Sequence, residues 1–283
     1  MSGTLHFTLT EAKSYKQITL GLYGGALVRW TESRSTGQTT TTNTVTYQSK
    51  ETYVEQATVL WNSEQSPDGR IGPGTYSLPF EFMLPSTCLG SFQGSCGAIK
   101  YALHGRIKTG LLHRDHSIEV PIQVNKITDI NLPHLMVPTY QSKQKQVGFF
   151  CFASSVEFTA SLTRSGFCIG HNLPLTVSIV NGSSRRIKMR ASIKRRCTYH
   201  AQGHTRSERR KLVAVVSPDI APHSHYTWNV DDLLIPMVEP SFKESAIIKM
   251  QYILQVTAVI PWAWNSSVTI PITLGNVPLN CYT

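Results

Sequence analysis

Between Arg185 and Lys211 the sequence holds 11 basic residues and one acidic residue, Glu208. Lys188, Arg190 and Lys194 alternate with Met189, Ala191 and Ile193. A period of two puts these three cations on one face of a strand, and Arg195 and Arg196 are expected to extend that face. Arg206, Arg209, Arg210 and Lys211 follow a Gly-containing loop and are expected on the neighbouring strand. Massed positive charge repels itself unless an anion offsets it. Arginine forks fit phosphate and carboxylate, and each Lys or Arg beside an anionic bilayer adds about 1 kcal/mol. Three readings fit the run. It is a solvated face, a docking surface for phosphorylated or acidic receptor tails or anionic lipid head groups, or a nucleic-acid surface. Against the last, base-stacking aromatics are limited to Tyr199 and no nucleic-acid motif appears, so no nucleic acid is expected as a partner.

Two other constellations have reactive residue types. Cys197-x-x-His200-x-x-x-His204 has zinc-like spacing, but three ligands lack a fourth. A strand would also turn Cys197 and His200 to opposite faces, so no metal is expected. Gln93-Gly94-Ser95-Cys96-Gly97 resembles a thiol-protease nucleophile segment. In those enzymes the Cys opens a helix whose N-terminus lowers its pKa. Here strand alternation follows, and nothing in the order of the ten His residues supplies a base. Phosphate-binding and hydrolase signatures are missing as well. The expectation is a non-enzymatic protein without a cofactor.

The elements that position these residues are strands. Tyr76, Leu78, Phe80, Phe82 and Leu84 sit at every second position, as do Ile99, Tyr101, Leu103 and Ile107. Pro79 cannot donate to a ladder, which predicts an edge or bulged strand there. Leu5–Phe7–Leu9, Ile18–Leu20–Leu22, Ala26–Val28–Trp30 after a turn at Gly24-Gly25, and a stretch from Val54 to Trp61 add further strands. Thr31 to Thr46, rich in Thr and Ser, reads as an exposed hairpin tip or loop. Ile118, Val120, Ile122 and Val124 close the first half. Asp129 to Gly148, with two prolines and a polar QSKQKQ run, reads as the connection. In the second half, Val156 to Leu162 and Leu175 to Ile179 are strands. Asn181-Gly182 predicts a hairpin turn into the strand carrying Ile187 to Ile193. In the first half no window shows convincing helical periodicity. Many short strands separated by turns predict an all-β chain of two tandem antiparallel β-sandwich, immunoglobulin-like domains, 1–140 and 141–283, with a hinge over 129–148.

Bulk properties agree. The 283 residues exceed one typical domain of about 150. Met1 to Tyr140 holds 11 Lys and Arg against 10 Asp and Glu; the rest holds 16 against 7, so the excess charge belongs to the second half. No apolar run approaches the roughly 20 residues of a membrane span, and no signal peptide is visible. The Asn181 and Asn265 sequons therefore read as turns. Cys88, Cys96, Cys151, Cys168, Cys197 and Cys281 are scattered without a Cys-x-x-Cys and read as reduced thiols.

Four ordered motifs resemble the arrestin fold, and within it the α-arrestins, or arrestin domain-containing proteins. They are Gly72-Pro73-Gly74-x-Tyr76-x-Leu78-Pro79-Phe80-x-Phe82-x-Leu84-Pro85 with Ser91-Phe92-x-Gly94 and Gly97-x-Ile99-x-Tyr101; Gly25 to Trp30; Asp129 to Pro133; and Ile247 to Leu274. The resemblance implies a cytoplasmic adaptor, peripheral to the plasma membrane and endosomes, that binds tails of membrane receptors or transporters. It also implies support for their endocytosis, sorting or ubiquitination. A second reading is a structural subunit of an endosomal coat, as in retromer-type arrestin-fold proteins. Members of the family carry a strand before the segment matching Ser2 to Leu5, and a Pro-Pro-x-Tyr tail for WW-domain ubiquitin ligases. This sequence shows neither; Val137-Pro138-Thr139-Tyr140 is a degenerate form. Ligase recruitment is expected only with a tail outside this chain. One family member pairs a second-domain cysteine with thioredoxin. Glu244-Ser245 stands at that place here, so no covalent thioredoxin partner is expected.

Overall fold

The computed structural model describes residues 1–35, 42–66, 68–109, 114–147 and 154–279. Cys151, Cys281, Pro67 and the centre of the Thr31 to Thr46 stretch lie outside the described residues. The chain forms two compact units. Unit 1 is Met1–Lys126 with two later segments, Tyr199–His204 and Ser245–Ile248; unit 2 is Ile127–Thr198, Thr205–Glu244 and Lys249–Thr283. Both are built from antiparallel pairings, as the alternation predicts, apart from Gly166–Cys168, which runs parallel to Thr273–Gly275.

Unit 1 contains β1 (Ser2–Leu9), β2 (Lys13–Ser14), β3 (Gln17–Ser35), β4 (Thr42–Asn62), β5 (Arg70–Ile71), β6 (Gly74–Glu81), β7 (Phe92–Gln93), β8 (Gly97–Lys108) and β9 (His116–Ile122). The spine is β3, paired with β4 on one side and β8 on the other. Strands β7 and β9 both pair with β8. A second layer is β1 paired with β6. Pro79 stands opposite Thr4 in this two-stranded sheet, where its other side needs no donor. Leu5, Phe7, Leu9, Tyr76 and Leu78 pack from that layer onto Tyr15, Ile18 and Ile71.

Gly24-Gly25 is not a turn. Ile18 to Trp30 run in one 19-residue strand, and the β3–β4 register shifts between Gly24 and Gly25. The irregularity is a β-bulge, with Tyr53 the extra residue between Val54 and Thr52. The glycines are needed by packing. A Cβ on Gly24 would lie 2.0 Å from the ring of buried Tyr101, and one on Gly25 would lie 2.3 Å from the Glu51 carbonyl. The hydroxyl of Tyr101 is fixed by donation to the Leu89 carbonyl at 2.6 Å.

Unit 2 is built from β10 (Thr139–Val147), β11 (Ser154–Leu162), β12 (Gly166–Cys168), β13 (Leu175–Asn181), β14 (Lys188–Ala201), β15 (His204–Val216), β16 (Ser224–Val230), β17 (Ile248–Val259) and β18 (Ser266–Gly275), except that Tyr199 to Ala201 of β14, His204 of β15 and Ile248 of β17 group with unit 1. One sheet runs β10-β11-β13-β16 and the other β12-β18-β17-β14-β15. The core between them is aliphatic and aromatic, with Val156, Phe158, Ile179, Ile193, Tyr252, Leu254 and Ile270 all buried.

Two expectations change here. The QSKQKQ run is strand β10, not linker. Its polarity reflects its place at a sheet edge, where Lys143 and Lys145 stand opposite buried Phe158 and Val156. Charges on the inward face of an edge strand block further pairing. Asn181-Gly182 is not a hairpin turn either, because β13 and β14 belong to different sheets. The chain crosses over there, and the Asn181 side chain fixes the corner. Its Nδ2 donates to the carbonyls of Arg185 and Ala221, each at 2.8 Å, while its Oδ1 accepts from the Ser183 hydroxyl at 2.7 Å. Asn181 is fully buried, so a side chain chosen for turn-forming works here as an interior clamp.

The connection is short. Thr128 donates to Asn276 Oδ1 at 2.8 Å, Asn276 donates back to the Thr128 carbonyl at 3.1 Å, and Asp129 bridges to Val277. Unit 2 begins at Ile127, and these bonds tie Thr128 and Asp129 to its last residues.

Candidate functional site

The basic run occupies the two adjacent strands β14 and β15. On β14, Met189, Ala191, Ile193, Cys197, Tyr199 and Ala201 are buried, which sets the inward face. Lys188, Arg190, Lys194 and Arg196 hold the alternate positions, exposed or half-buried. The return is made by Gln202 (φ 51°) and Gly203 (φ 77°), both left-handed, the geometry of the tight hairpin turn. Thr198 and Ser207 then face each other, with Ser207 Oγ 3.3 Å from Thr198 Oγ1. Strand β15 is the sheet's edge, and Arg206, Arg209, Arg210 and Lys211 are all exposed on it.

Arg195 does not belong to this face. It shares the inward parity of Ile193 and Cys197, and its side chain is only 13% exposed. Its Nη1 donates to Glu239 Oε2 at 3.3 Å. Tyr252 lies in the same neighbourhood. Its hydroxyl donates to the Glu239 carbonyl at 2.7 Å, and burial holds that phenol well above its ordinary pKa. Strand parity predicts this placement of Arg195; the consecutive cations Lys194-Arg195-Arg196 hide it, because charge alone suggests a continuous patch. Glu239 sits 44 residues away in sequence, and nothing in the spacing points to it as the counterion.

The remaining cations face a sparse set of acids. Asp219 Oδ1 lies 3.7 Å from Lys188 Nζ, with both side chains about half exposed. An exposed pair of this kind contributes about 0–1 kcal/mol. Arg196 Nε is shielded from solvent and has no hydrogen-bond partner among the described residues. The arrangement offers a row of cations with one unmade donor bond, which suits an extended anionic ligand.

The other two constellations separate. Cys197 is wholly buried and faces inward, while His200 holds the opposite parity on β14. Cys96 is buried at the start of β8, with the Ser95 hydroxyl 3.5 Å from its sulfur.

Comparison with known proteins follows this geometry. Residues 1–131 match the model of the arrestin (or S-antigen) N-terminal domain, and residues 153–279 match that of the arrestin (or S-antigen) C-terminal domain. The two β-sandwich units and these matches define the class: the chain belongs to the arrestin family, in its arrestin domain-containing, or α-arrestin, branch. It is 31% identical over 286 residues to human arrestin domain-containing protein 4, covering 99% of this chain and 68% of that protein. Mouse arrestin domain-containing protein 4 is 34% identical over 210 residues, 74% of this chain and 50% of the relative. Mouse thioredoxin-interacting protein is 28% identical over 207 residues, 72% and 52% respectively. The matched part thus spans about half to two thirds of the length of these relatives.

Proposed function

We propose that this chain is a non-enzymatic adaptor that captures acidic or phosphorylated cytoplasmic tails of membrane-protein cargo on the β14–β15 face and hands them to sorting or endocytic machinery. The observation that supports this reading is the row of cations on one face of adjacent strands: Lys188, Arg190, Lys194 and Arg196 on β14 with Arg209 and Lys211 on β15, the face on which Ser207 meets Thr198, while Arg206 and Arg210 hold the other parity of β15. A buried donor left unmade costs about 1–3 kcal/mol, which a phosphate or carboxylate oxygen reaching Arg196 Nε would recover. An extended tail matches an extended strand pair in length and in the spacing of its charges.

Recruitment of WW-domain ligases is a separate matter. Val137-Pro138-Thr139-Tyr140 is the nearest approach to the motif those domains read. Tyr140 stands opposite Ser161 within the β10–β11 pair, so it is held in sheet geometry and not in the free polyproline conformation WW domains bind. No ligase contact is proposed through this segment.

Fluorescence anisotropy with a labelled phosphorylated acidic peptide tests the proposal. Reversing Lys194, Arg196, Arg209 and Lys211 together to Glu is expected to weaken binding by more than about tenfold and to flatten its salt dependence. Unchanged affinity sinks the reading. Arg195 is left intact, because its loss would strand Glu239.

A further inference from the structure

Strand β15 closes one side of its sheet, and among the described residues no strand pairs with its far side. It is long for an edge, running 13 residues from His204 to Val216. Native edges are usually short or covered, because their unpaired N–H and C=O groups invite another chain. The direction of those groups follows from the neighbouring strand. The His200 N–H is spent on the Ile247 carbonyl at 2.8 Å, on the side of β17 and away from β15. Backbone groups alternate sides along a strand, so Tyr199 and Ala201 carry the ladder to β15. The two-residue turn Gln202-Gly203 sets Ala201 against His204. By the same alternation Ser207, Arg209 and Lys211 aim their N–H and C=O groups off the sheet.

The cations divide between the two faces of this edge. Arg209 and Lys211 lie on the face where Ser207 meets Thr198, and Arg206 and Arg210 hold the opposite parity; all four are exposed. A second copy of β15 laid along the edge would bring cation onto cation. An acidic strand laid there meets the reverse. Its successive side chains fall on alternate faces, and each face offers two cations. Acids at every second position would reach one row and leave the other unmatched. The edge thus fits an uninterrupted acidic run of about six residues, roughly 20 Å when extended.

We propose that β15 takes an uninterrupted acidic segment of a partner as an added strand. Ser207, Arg209 and Lys211 supply the backbone bonds, and the cations of both parities read its charges from the two sides. Main-chain pairing gives such a contact its affinity, and the alternating side chains give it specificity. The inference rests on the tail-binding reading above and names what such a tail must contain.

The test uses the full chain and fluorescence anisotropy of a labelled peptide with about six consecutive Asp and Glu residues. Two N-methylated forms of that peptide, one methylated at its odd acidic positions and one at its even positions, keep every charge. In an added strand only one set of amides faces β15. One form is therefore expected to lose about tenfold or more in affinity, and the other to bind within about twofold of the parent peptide. Arg206→Glu/Arg210→Glu is expected to weaken binding about tenfold. It should keep the parent's circular dichroism and melting temperature, since both side chains are exposed. A peptide with the same number of acids at every second position is expected to bind more weakly. Equal affinities of the two methylated forms overturn the proposal, as does full affinity in the double variant. A dimer of the free chain that the double variant dissolves overturns it too, and assigns the edge to a second copy. Reversal of Lys194, Arg196, Arg209 and Lys211 separates the two readings. If it weakens binding while the methylated forms bind alike, the tail-binding face stands and the added strand falls; if it changes nothing, both fall.

Discussion

The Ser245 hydroxyl donates to Glu51 Oε2 at 2.6 Å, and the Ala246 N–H donates to the same oxygen at 3.1 Å. Ser245 Oγ in turn accepts from the N–H groups of Ile247 and Ile248 at 3.2 and 3.0 Å. Tyr53, the bulge residue of β4, adds its own hydroxyl to Glu51 Oε2 at 3.1 Å. Burial is the first cause that raises the Tyr53 phenol above its usual value, and the Glu51 charge pushes the same way. One serine and one carboxylate thus anchor Ser245–Ile248 within unit 1. Ser245→Ala removes a buried hydroxyl that serves three partners. The expected cost is about 1–3 kcal/mol, read as a lower midpoint in urea with an unchanged slope. A variant as stable as the parent would show that the anchor contributes nothing.

Thiol accessibility gives a second prediction. Cys88, Cys96, Cys168 and Cys197 are all buried, and burial raises the Cys88 thiol above its ordinary pKa. Thiolates are the reactive form, so these four should resist modification in the folded protein. Titration with a chromogenic disulfide reagent is expected to count none of these four among the fast thiols of the folded protein and all four after denaturation. Incubation with thioredoxin under mild oxidation is expected to leave no mixed disulfide at Glu244-Ser245, where neither side chain carries sulfur. A heterodimer that reductant dissolves would contradict both the count and the assignment.

A third prediction concerns acid. Asp129 Oδ1 accepts from the Asn131 N–H at 2.8 Å and from Asn131 Nδ2 at 2.7 Å. The backbone bond first, and the side-chain bond next, hold its carboxyl below the usual range. A depressed folded pKa contributes stability that is present above the unfolded value of roughly 3.9 and is lost as pH falls through the folded value. Asp129→Asn should therefore lower the melting temperature at neutral pH. The gap between variant and parent should close as acidification carries the protein below the lowered value of the folded carboxyl. A gap that persists in acid would assign the effect to packing at the connection.

The sequence shows the architecture more clearly than it shows the faces. Period-two alternation marks β6, β8, β11, β13, β14 and β17 because burial on one side of a sheet writes itself directly into side-chain polarity. It fails where a residue's job depends on distant partners. Gly24-Gly25 has the composition of a turn, but its glycines make room for the Tyr101 ring, 77 positions beyond Gly24. Asn181-Gly182 has the composition of a hairpin, but the next strand joins another sheet. The QSKQKQ run has linker chemistry because an edge strand is built to resist partners. Within the candidate site, Lys188, Arg190, Lys194, Arg196, Arg209 and Lys211 share one face of the β14–β15 pair, and Arg206 and Arg210 hold the opposite parity. Arg195 also turns away, and its inward placement follows from counting parity along β14 from Met189. Trp262 and Trp264, exposed between β17 and β18, carry no local signal beyond the Pro261 before them and the Asn265 after them, because solvent exposure of an apolar side chain is a property of the fold.

The inward lysines of β10 also set a chemical vulnerability. Acetylation removes the charge while lengthening the apolar stem, so modification at Lys143 and Lys145 would convert a guarded margin into a sticky one. An enzyme acting on those two amines would hold a lever over self-association of the second sandwich without touching its basic face or its interior.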